Sequence, residues 1–223
     1  MLDNTYLVRD ARSRVVEEAS RHGLPVRCVW LDTPLADAQV NLVRRLVETL
    51  GRLPSIEELR GSRTPGIVSP TAQMRALRGL EPPASDEGFD AVERVPFERA
   101  AGTGGAVVFV AASALGSPRW PQALRAALPE APHLVFDWQP GDQPSALAAA
   151  REAVQSEVAG PVESTICPHP AGAPICWCRP PLPGLPLAFA DAHGADPGRS
   201  LLVGTSTAHR QLAAALGARL VSP

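Results

Sequence analysis

The sequence predicts an α/β fold in two lobes, with a parallel, doubly wound sheet in the second lobe. Short apolar runs alternate with segments of helical periodicity along the chain, and this alternation is typical of parallel strands joined by crossover helices. The chain has 223 residues, 45% of them hydrophobic, which is enough to bury two modest cores. A Gly/Ala/Thr stretch at residues 100–105 predicts a linker, so we expect lobes at residues 1–99 and 106–223.

The first lobe contains two predicted strands and an arginine-bearing helix. Residues 10–22 carry apolar side chains at helical spacing, and Gly23 ends that helix. The apolar run at residues 26–31 predicts a buried strand. Thr33-Pro34 opens the next helix, because proline is favoured at the first helical position. Residues 89–95 alternate between apolar and polar side chains, which predicts a half-exposed strand.

The second lobe repeats the alternation of strands and helices more regularly. Strands are predicted at residues 106–112, 133–138, 162–166, 201–204 and 219–221. Helices are predicted at residues 120–128, 145–158, 185–193 and 208–216. Because helices separate successive strands, the order predicts a parallel sheet, whose strands end at one common edge.

Charge and composition exclude several classes of protein. The net charge of -2 and the absence of any lysine argue against a generally basic nucleic-acid binder and against a phosphate loop, which needs a lysine ammonium. No apolar run reaches membrane-spanning length, and the amino terminus lacks the pattern of a signal peptide. We therefore expect a cytoplasmic protein without membrane contact, in which thiols stay reduced and clustered cysteines indicate a metal.

Four potential metal ligands lie within twelve positions: Cys167, His169, Cys176 and Cys178. Structural Zn²⁺ takes four tetrahedral nitrogen and sulfur ligands, and two short ligand pairs joined by a loop can surround one ion. The alternative is a disulfide or inert thiols. A Cys-x-Cys pair closes too tight a ring for easy disulfide geometry, and Cys28 lies in an apolar strand. The sequence therefore predicts a structural zinc site in the loop 167–178.

The residues after the zinc loop point to a family. Arg179, Pro181, Pro183 and Gly184 follow the ligands, and Val203-Gly204 precedes a predicted helix. With this pattern, residues 106–223 resemble the haloacid dehalogenase-type (HAD) phosphatases, in the group that includes histidinol-phosphate and heptose-bisphosphate phosphatases. The resemblance implies a Rossmann-like lobe with a parallel sheet and a zinc loop.

The same resemblance implies that the catalytic positions are degenerate. The two family aspartates correspond to Ala111 and Ser113, the Mg²⁺ carboxylates to Thr205 and His209, and the Ser/Thr of the second strand to Asp137. The family lysine corresponds to Leu182 or Pro180. Without nucleophile, lysine and metal carboxylates we expect a pseudo-phosphatase that binds no Mg²⁺. A new hydrolytic triad of Ser113, His209 and Asp137 is the less favoured alternative.

Residues 3–97 resemble the second half of the kinase domain of polynucleotide kinase-phosphatases. The matching residues are Asp3-Asn4-Thr5, Arg12, Pro25-Val26-Arg27-Cys28, Glu81-Pro82-Pro83 and Glu87-Gly88-Phe89. The resemblance makes Arg44, Arg45 and Arg52 candidates for a lid that clamps the nucleotide triphosphate, and a solvated helix face is the alternative reading. The family's P-loop belongs upstream of Asp3, where only Met1 and Leu2 stand, so we expect an incomplete kinase-like lobe.

Three functions are therefore open from the sequence. The first is a zinc-binding, inactive HAD-like protein that acts by binding or scaffolding. The second is part of a polynucleotide 5′-kinase whose P-loop lies in another chain or in upstream sequence. The third is a module that binds nucleotide or nucleic-acid ends through its arginines. Unpaired buried backbone is costly, so we expect one of three outcomes for the kinase-like lobe. Another chain or a second copy supplies the missing strands, or the lobe repacks on the second lobe or in a dimer, or upstream sequence is absent from the gene model.

Overall fold

The computed structural model describes residues 5–61, 64, 66–100, 102–141 and 144–223. The helices are α1 (Arg9–Arg21), α2 (Leu35–Leu50), α3 (Ile56–Gly61), α4 (Pro70–Arg78), α5 (Trp120–Arg125), α6 (Ala148–Gln155), α7 (Gly184–Ala192) and α8 (Thr207–Leu216). The strands are β1 (Arg27–Asp32), β2 (Ala91–Pro96), β3 (Val108–Ala111), β4 (His133–Trp138), β5 (Val162–Cys167), β6 (Leu201–Val203) and β7 (Arg219–Val221). The α/β fold with parallel strands is therefore confirmed.

The chain forms two compact units that are not contiguous in sequence. One comprises Thr71–Arg99 with the described part of Met1–Leu35, and the other comprises Ala36–Pro70 and Ala100–Pro223. The stretch 36–70, expected in the first lobe, thus packs in the second unit. Among the described residues, no helix combines the length and the apolar character needed to cross a bilayer.

The second unit is built on a five-stranded parallel sheet in the order β5-β4-β3-β6-β7. The chain winds outward from the central strand β3 through β4 to β5, and then returns to the other side of β3 with β6 and β7. In doubly wound sheets the point where the winding reverses opens a crevice outside the carboxyl ends of the strands, and ligands bind there. This switch point lies between β3 and β6.

Helix α2 belongs to the core of the second unit because its apolar residues form one stripe. Val40, Val43 and Val47 recur at spacings of three and four, and together with Leu46 they are buried in the same cluster as Phe109 and the other β3 side chains. Burying this stripe against the sheet is more favourable than leaving it exposed, since each aliphatic side chain contributes about 1.5–3 kcal/mol. This burial explains the unexpected placement of the stretch 36–70.

The glycine-rich stretch predicted as a linker is docked against the second unit. A Cβ atom at Gly102 would lie 2.6 Å from the Asp196 carboxylate, and one at Gly104 would lie 2.6 Å from the Gly194 carbonyl oxygen. Asp196 N–H donates to the Gly105 carbonyl at 2.8 Å. Ala101 lies outside the described residues. The glycines therefore allow close backbone packing ahead of β3.

The first unit contains a two-stranded parallel sheet in which β1 pairs with β2 from Arg27 opposite Ala91 to Asp32 opposite Pro96. The prediction of a buried strand at 26–31 is wrong. Val29 is 53% exposed and Leu31 is 69% exposed, because the described residues place no second layer over this row of β1. An apolar run shows that a strand is present, but not that both of its faces are covered.

A buried ion pair fastens α1 inside the first unit. The Arg12 guanidinium donates to both carboxylate oxygens of Glu87, at 2.7 and 2.8 Å, and to the carbonyls of Tyr6 and Glu81, at 3.0 and 2.8 Å. The Glu81 carboxylate also accepts the Arg9 backbone N–H at 2.6 Å and so caps the start of α1. Several residues of the kinase-like motif therefore have structural roles, whereas Asp3 and Asn4 lie outside the described residues.

Candidate metal centre and switch-point crevice

The structure brings all four predicted metal ligands together. Cys167 ends β5, His169 follows it by two residues, and Cys176 and Cys178 precede α7. Their ligand atoms all lie within 4.8 Å of one another. The Cys167 Sγ atom is 3.2 Å from Cys178 Sγ and 3.7 Å from Cys176 Sγ, and His169 Nδ1 is 3.5 Å from Cys167 Sγ and 3.1 Å from Cys178 Sγ.

The cluster is compatible with a tetrahedral zinc ion. With Zn–S bonds of about 2.3 Å, tetrahedral angles place the sulfur atoms roughly 3.8 Å apart. The observed separations are 3.7 Å between Cys167 and Cys176 and 3.2 Å between Cys167 and Cys178. The three cysteines are buried and free of disulfides. Four protein ligands would complete the coordination shell of such an ion and leave no open position, which is the arrangement of a structural zinc site.

The ionisation of the thiols also favours a cation. Hydrogen bonds from Cys167 and Cys178 lower the pKa of the Cys176 thiol to about 2. Hydrogen bonding to Cys176 raises the pKa of Cys167 to about 11, and hydrogen bonding to Cys167 raises the pKa of Cys178 as well. Protein groups alone therefore stabilise one thiolate among three thiols, whereas a divalent cation stabilises all three thiolates at once.

Groups outside the ligand set hold the loop in its curved form. The Trp138 indole N–H donates to the His169 carbonyl at 2.8 Å, and the Gly141 N–H donates to the Pro168 carbonyl at 2.8 Å. The Arg179 guanidinium donates to the Pro170 and Gly172 carbonyls at 2.9 and 2.5 Å, and lies 5.2 Å from the centre of the Trp138 ring. Arg179, which the sequence singled out, thus closes the loop on itself.

The positions assigned to a degenerate active site lie around the carboxyl edge of the sheet. Ala111 ends β3 and is 1% exposed, and Ser113 follows as an exposed residue of the 3-10 turn Ala112–Gly116. Asp137 lies near the end of β4, and Thr205 follows β6. Leu182 is buried in the segment between the zinc loop and α7. The structure therefore places a buried alanine methyl at the end of β3 and hydroxyl groups nearby along this edge of the sheet.

His209 serves as a cap for α8. Its Nδ1 atom accepts the backbone N–H groups of Thr205 and Ser206, both at 3.3 Å, while the Ser206 hydroxyl accepts the His209 N–H at 3.2 Å. A Cβ atom at Gly204 would lie 2.6 Å from the His209 Cβ, so only glycine fits there. Burial lowers the pKa of His209, against the smaller opposing effect of the Asp137 charge, so the imidazole is neutral at pH 7.

The three residues of the alternative hydrolytic triad do not form one. In a triad the imidazole donates through one nitrogen to the carboxylate and accepts the serine proton at the other. Here backbone N–H groups occupy Nδ1 of His209. The Asp137 carboxylate instead accepts the Trp138 N–H and the Gln139 side-chain amide, both at 2.8 Å.

The three lid-candidate arginines all lie in the second unit, on α2 and just after it. Arg52 is held by Glu58 through two hydrogen bonds of 2.9 and 2.7 Å. Arg44 lies 4.0 Å from the Asp196 carboxylate, and Arg45 is exposed. Nucleotide or nucleic-acid binding by these arginines stays a prediction.

Sequence reasoning missed a cavity of about 370 Å³ at the amino edge of the sheet, opposite the switch point. Its lining includes Arg44, Glu48, Asp191, Asp196 and the stretch 102–104. The glycines ahead of β3 are a sequence feature that indicates this cavity, although the same stretch also predicts a linker. The acidic majority among its charged groups disfavours an anionic ligand such as a phosphate ester.

Comparison with known proteins adds weak structural likeness. No protein-family model matches the sequence, and no curated protein matches it. Among solved structures, a HAD-superfamily hydrolase of subfamily IA, variant 1, from Geobacter sulfurreducens aligns over 89% of this chain and 86% of its own, with 14% identity and a TM-score of 0.33. A likeness at this TM-score carries no argument about fold or activity.

Proposed function

We propose that the second unit is a zinc-stabilised, catalytically inactive HAD-like pseudo-phosphatase, and that the protein acts by binding or scaffolding. The observation that carries this proposal is Ala111 at the end of the central strand. A phosphatase of the resembled type needs a carboxylate there to attack phosphorus, and a methyl group cannot replace it. Asp137, on the neighbouring strand β4, has a carboxylate that already accepts hydrogen bonds from Trp138 and Gln139.

The metal in this proposal is structural zinc, without Mg²⁺. Mg²⁺ prefers oxygen ligands, chiefly carboxylates and phosphates. The positions that would hold it carry the Thr205 hydroxyl and the His209 imidazole, whose Nδ1 already accepts two backbone N–H groups. The three thiol ligands would have to stay reduced, so the proposal also includes a reducing compartment such as the cytoplasm.

An assay of phosphate-ester hydrolysis tests the absence of catalysis. We expect the purified protein with Mg²⁺ and an aryl phosphate ester to show no turnover above the buffer blank. The Ser113→Ala variant should behave identically, because Ser113 has no catalytic role in this proposal. Turnover in the native protein that Ser113→Ala or His209→Ala removes would contradict the proposal and revive the hydrolytic alternative.

The proposal includes a protein partner for the first unit, either a second copy or another chain. Supporting this, β1 and β2 pair only with each other within the described part of the chain, which leaves their outer edges without a strand partner there, and β1 exposes Val29 and Leu31. We expect light scattering to give twice the chain mass of 23.5 kDa for the native protein, and the mass of one chain for Leu31→Glu. A native monomer would exclude the second copy as the partner.

The kinase alternative stays a prediction. Its candidate lid residues lie in the second unit, while Arg12, Glu81 and Glu87 lie in the first. Arg12 and Glu87 bind each other rather than facing a nucleotide. No structural observation favours this function over scaffolding.

A further inference from the structure

Trp177 lies between two of the metal ligands and is 1% exposed. Its indole N–H donates a hydrogen bond of 2.9 Å to the backbone carbonyl of Val68, 109 residues earlier in the chain. Val68 belongs to what we call the α3 segment, residues 53–61 and 66–70, which follows α2. The metal loop and the α3 segment therefore share a partly buried hydrogen bond, which contributes more than a fully exposed one would.

The backbone of Trp177 is fixed from the other side. The Gly184 N–H, at the start of α7, donates to the Trp177 carbonyl at 3.0 Å. A Cβ atom at Gly184 would collide with that carbonyl and would lie 3.2 Å from Leu53 Cδ1. Trp177, the start of α7 and the α3 segment are therefore packed too closely for the tryptophan to shift alone.

The α3 segment is less buried than the strands of the sheet. Three of its 14 described residues are buried, Pro54, Leu59 and Pro70, whereas all four residues of β3 are. Leu53, Ile67 and Val68 are only partly buried against the core of the second unit. Segments with few buried contacts open at a lower free energy than core strands do. The segment is therefore sensitive to the position of Trp177.

Coordination would set that position. Cys176 and Cys178 flank Trp177, so an ion bound to both fixes the backbone on either side of the indole. Without the ion, the thiols lose their common partner and can turn away from one another. We propose that zinc binding docks the α3 segment onto the second unit, and that Trp177 transmits the effect. This inference rests on the metal occupancy in the proposed function.

Hydrogen exchange of the full chain, before and after treatment with a chelator, tests the proposal. Metal content is measured on the same samples. After metal removal, amides of the α3 segment should exchange within about tenfold of the rate of an unstructured peptide. Amides of β3 and β6 should remain protected by more than about a hundredfold.

Trp177→Phe separates the hydrogen bond from the metal. The variant keeps an aromatic ring but lacks the N–H donor, so we expect about one zinc per chain together with roughly tenfold faster exchange in the α3 segment. Trp120→Phe, on α5, is the matched control and should change neither property. If Trp177→Phe loses its zinc, hydrogen exchange of the native protein with and without chelator is the test of the proposal.

Three results would overturn the inference. One is an α3 segment as protected as β3 after metal removal, and another is equal loss of protection throughout the second unit. The third is zinc-loaded Trp177→Phe with native exchange in the segment. Untreated protein without metal would overturn the metal part of the proposed function too, which distinguishes that failure from failure of the inference alone.

Discussion

Replacing Cys176 and Cys178 together by serine should release the metal and destabilise the second unit by at least about 4 kcal/mol. Structural zinc contributes its binding free energy to folding, and serine hydroxyls are poor zinc ligands. Two of four ligands are lost, while the loop hydrogen bonds from Trp138 and Arg179 remain. For a unit of this size we expect the thermal midpoint to fall on the order of 10 °C, measured by calorimetry beside metal analysis.

Cys28→Ser provides the matched control for this change. Cys28 lies on β1 in the first unit, away from the cluster in sequence and outside its ligand set. The control should retain about one zinc per chain and keep the transition of the second unit. Stoichiometric zinc in the double serine variant, or none in untreated native protein, would contradict the assignment.

Replacing Arg12 by methionine should destabilise the first unit by about 3–5 kcal/mol. The substitution leaves the Glu87 carboxylate buried without its guanidinium, and an uncompensated buried charge costs more than the pair contributes. It also removes the donors to the Tyr6 and Glu81 carbonyls. Hydrogen exchange of the α1 amides at increasing urea concentration reports on this unit, because α1 lies in it. Arg14→Met, which removes an exposed pair with Asp10, should show no measurable change.

The pH dependence of the stability of the first unit tests whether Glu87 is the carboxylate that causes this destabilisation. Hydrogen bonding from Arg12 lowers the pKa of Glu87 below its ordinary value, against the opposing effect of burial. A lowered folded-state pKa means that the pair stabilises the fold fully above the unfolded pKa of about 4.3, and that this stability is lost as the pH falls through the folded pKa. The double variant Arg12→Met, Glu87→Gln should lack this part of the pH dependence and recover part of the lost stability. If the double variant lost stability at low pH as the native protein does, a group other than Glu87 would cause that pH dependence.

Local chemistry in the sequence predicted the Cys/His cluster and the α/β class well. Two ligand pairs separated by a short loop need no distant part of the fold, so Cys167, His169, Cys176 and Cys178 could be assigned from spacing alone. The alternation of strands and helices likewise determines a parallel sheet, because each crossover must return to the same edge.

Long-range packing could not be predicted in the same way. The stripe of Val40, Val43 and Val47 indicates that one face of α2 is buried. That face could pack on any apolar surface, so the sequence does not determine which unit contains α2. The apolar run of β1 similarly carries no information about a covering layer. The role of His209 depends on which backbone N–H groups reach its Nδ1 atom, and the residue type alone does not determine this.

The division of the chain has a consequence for the order in which the protein is made. The polypeptide passes from one unit to the other three times, after residues 35, 70 and 99. During synthesis α2 therefore emerges before any strand of the five-stranded sheet whose core contains its valine stripe. The stripe can be buried only after β3, and later β6, have been synthesised. A nascent chain in this interval exposes an aliphatic surface that a chaperone or an early partner can recognise.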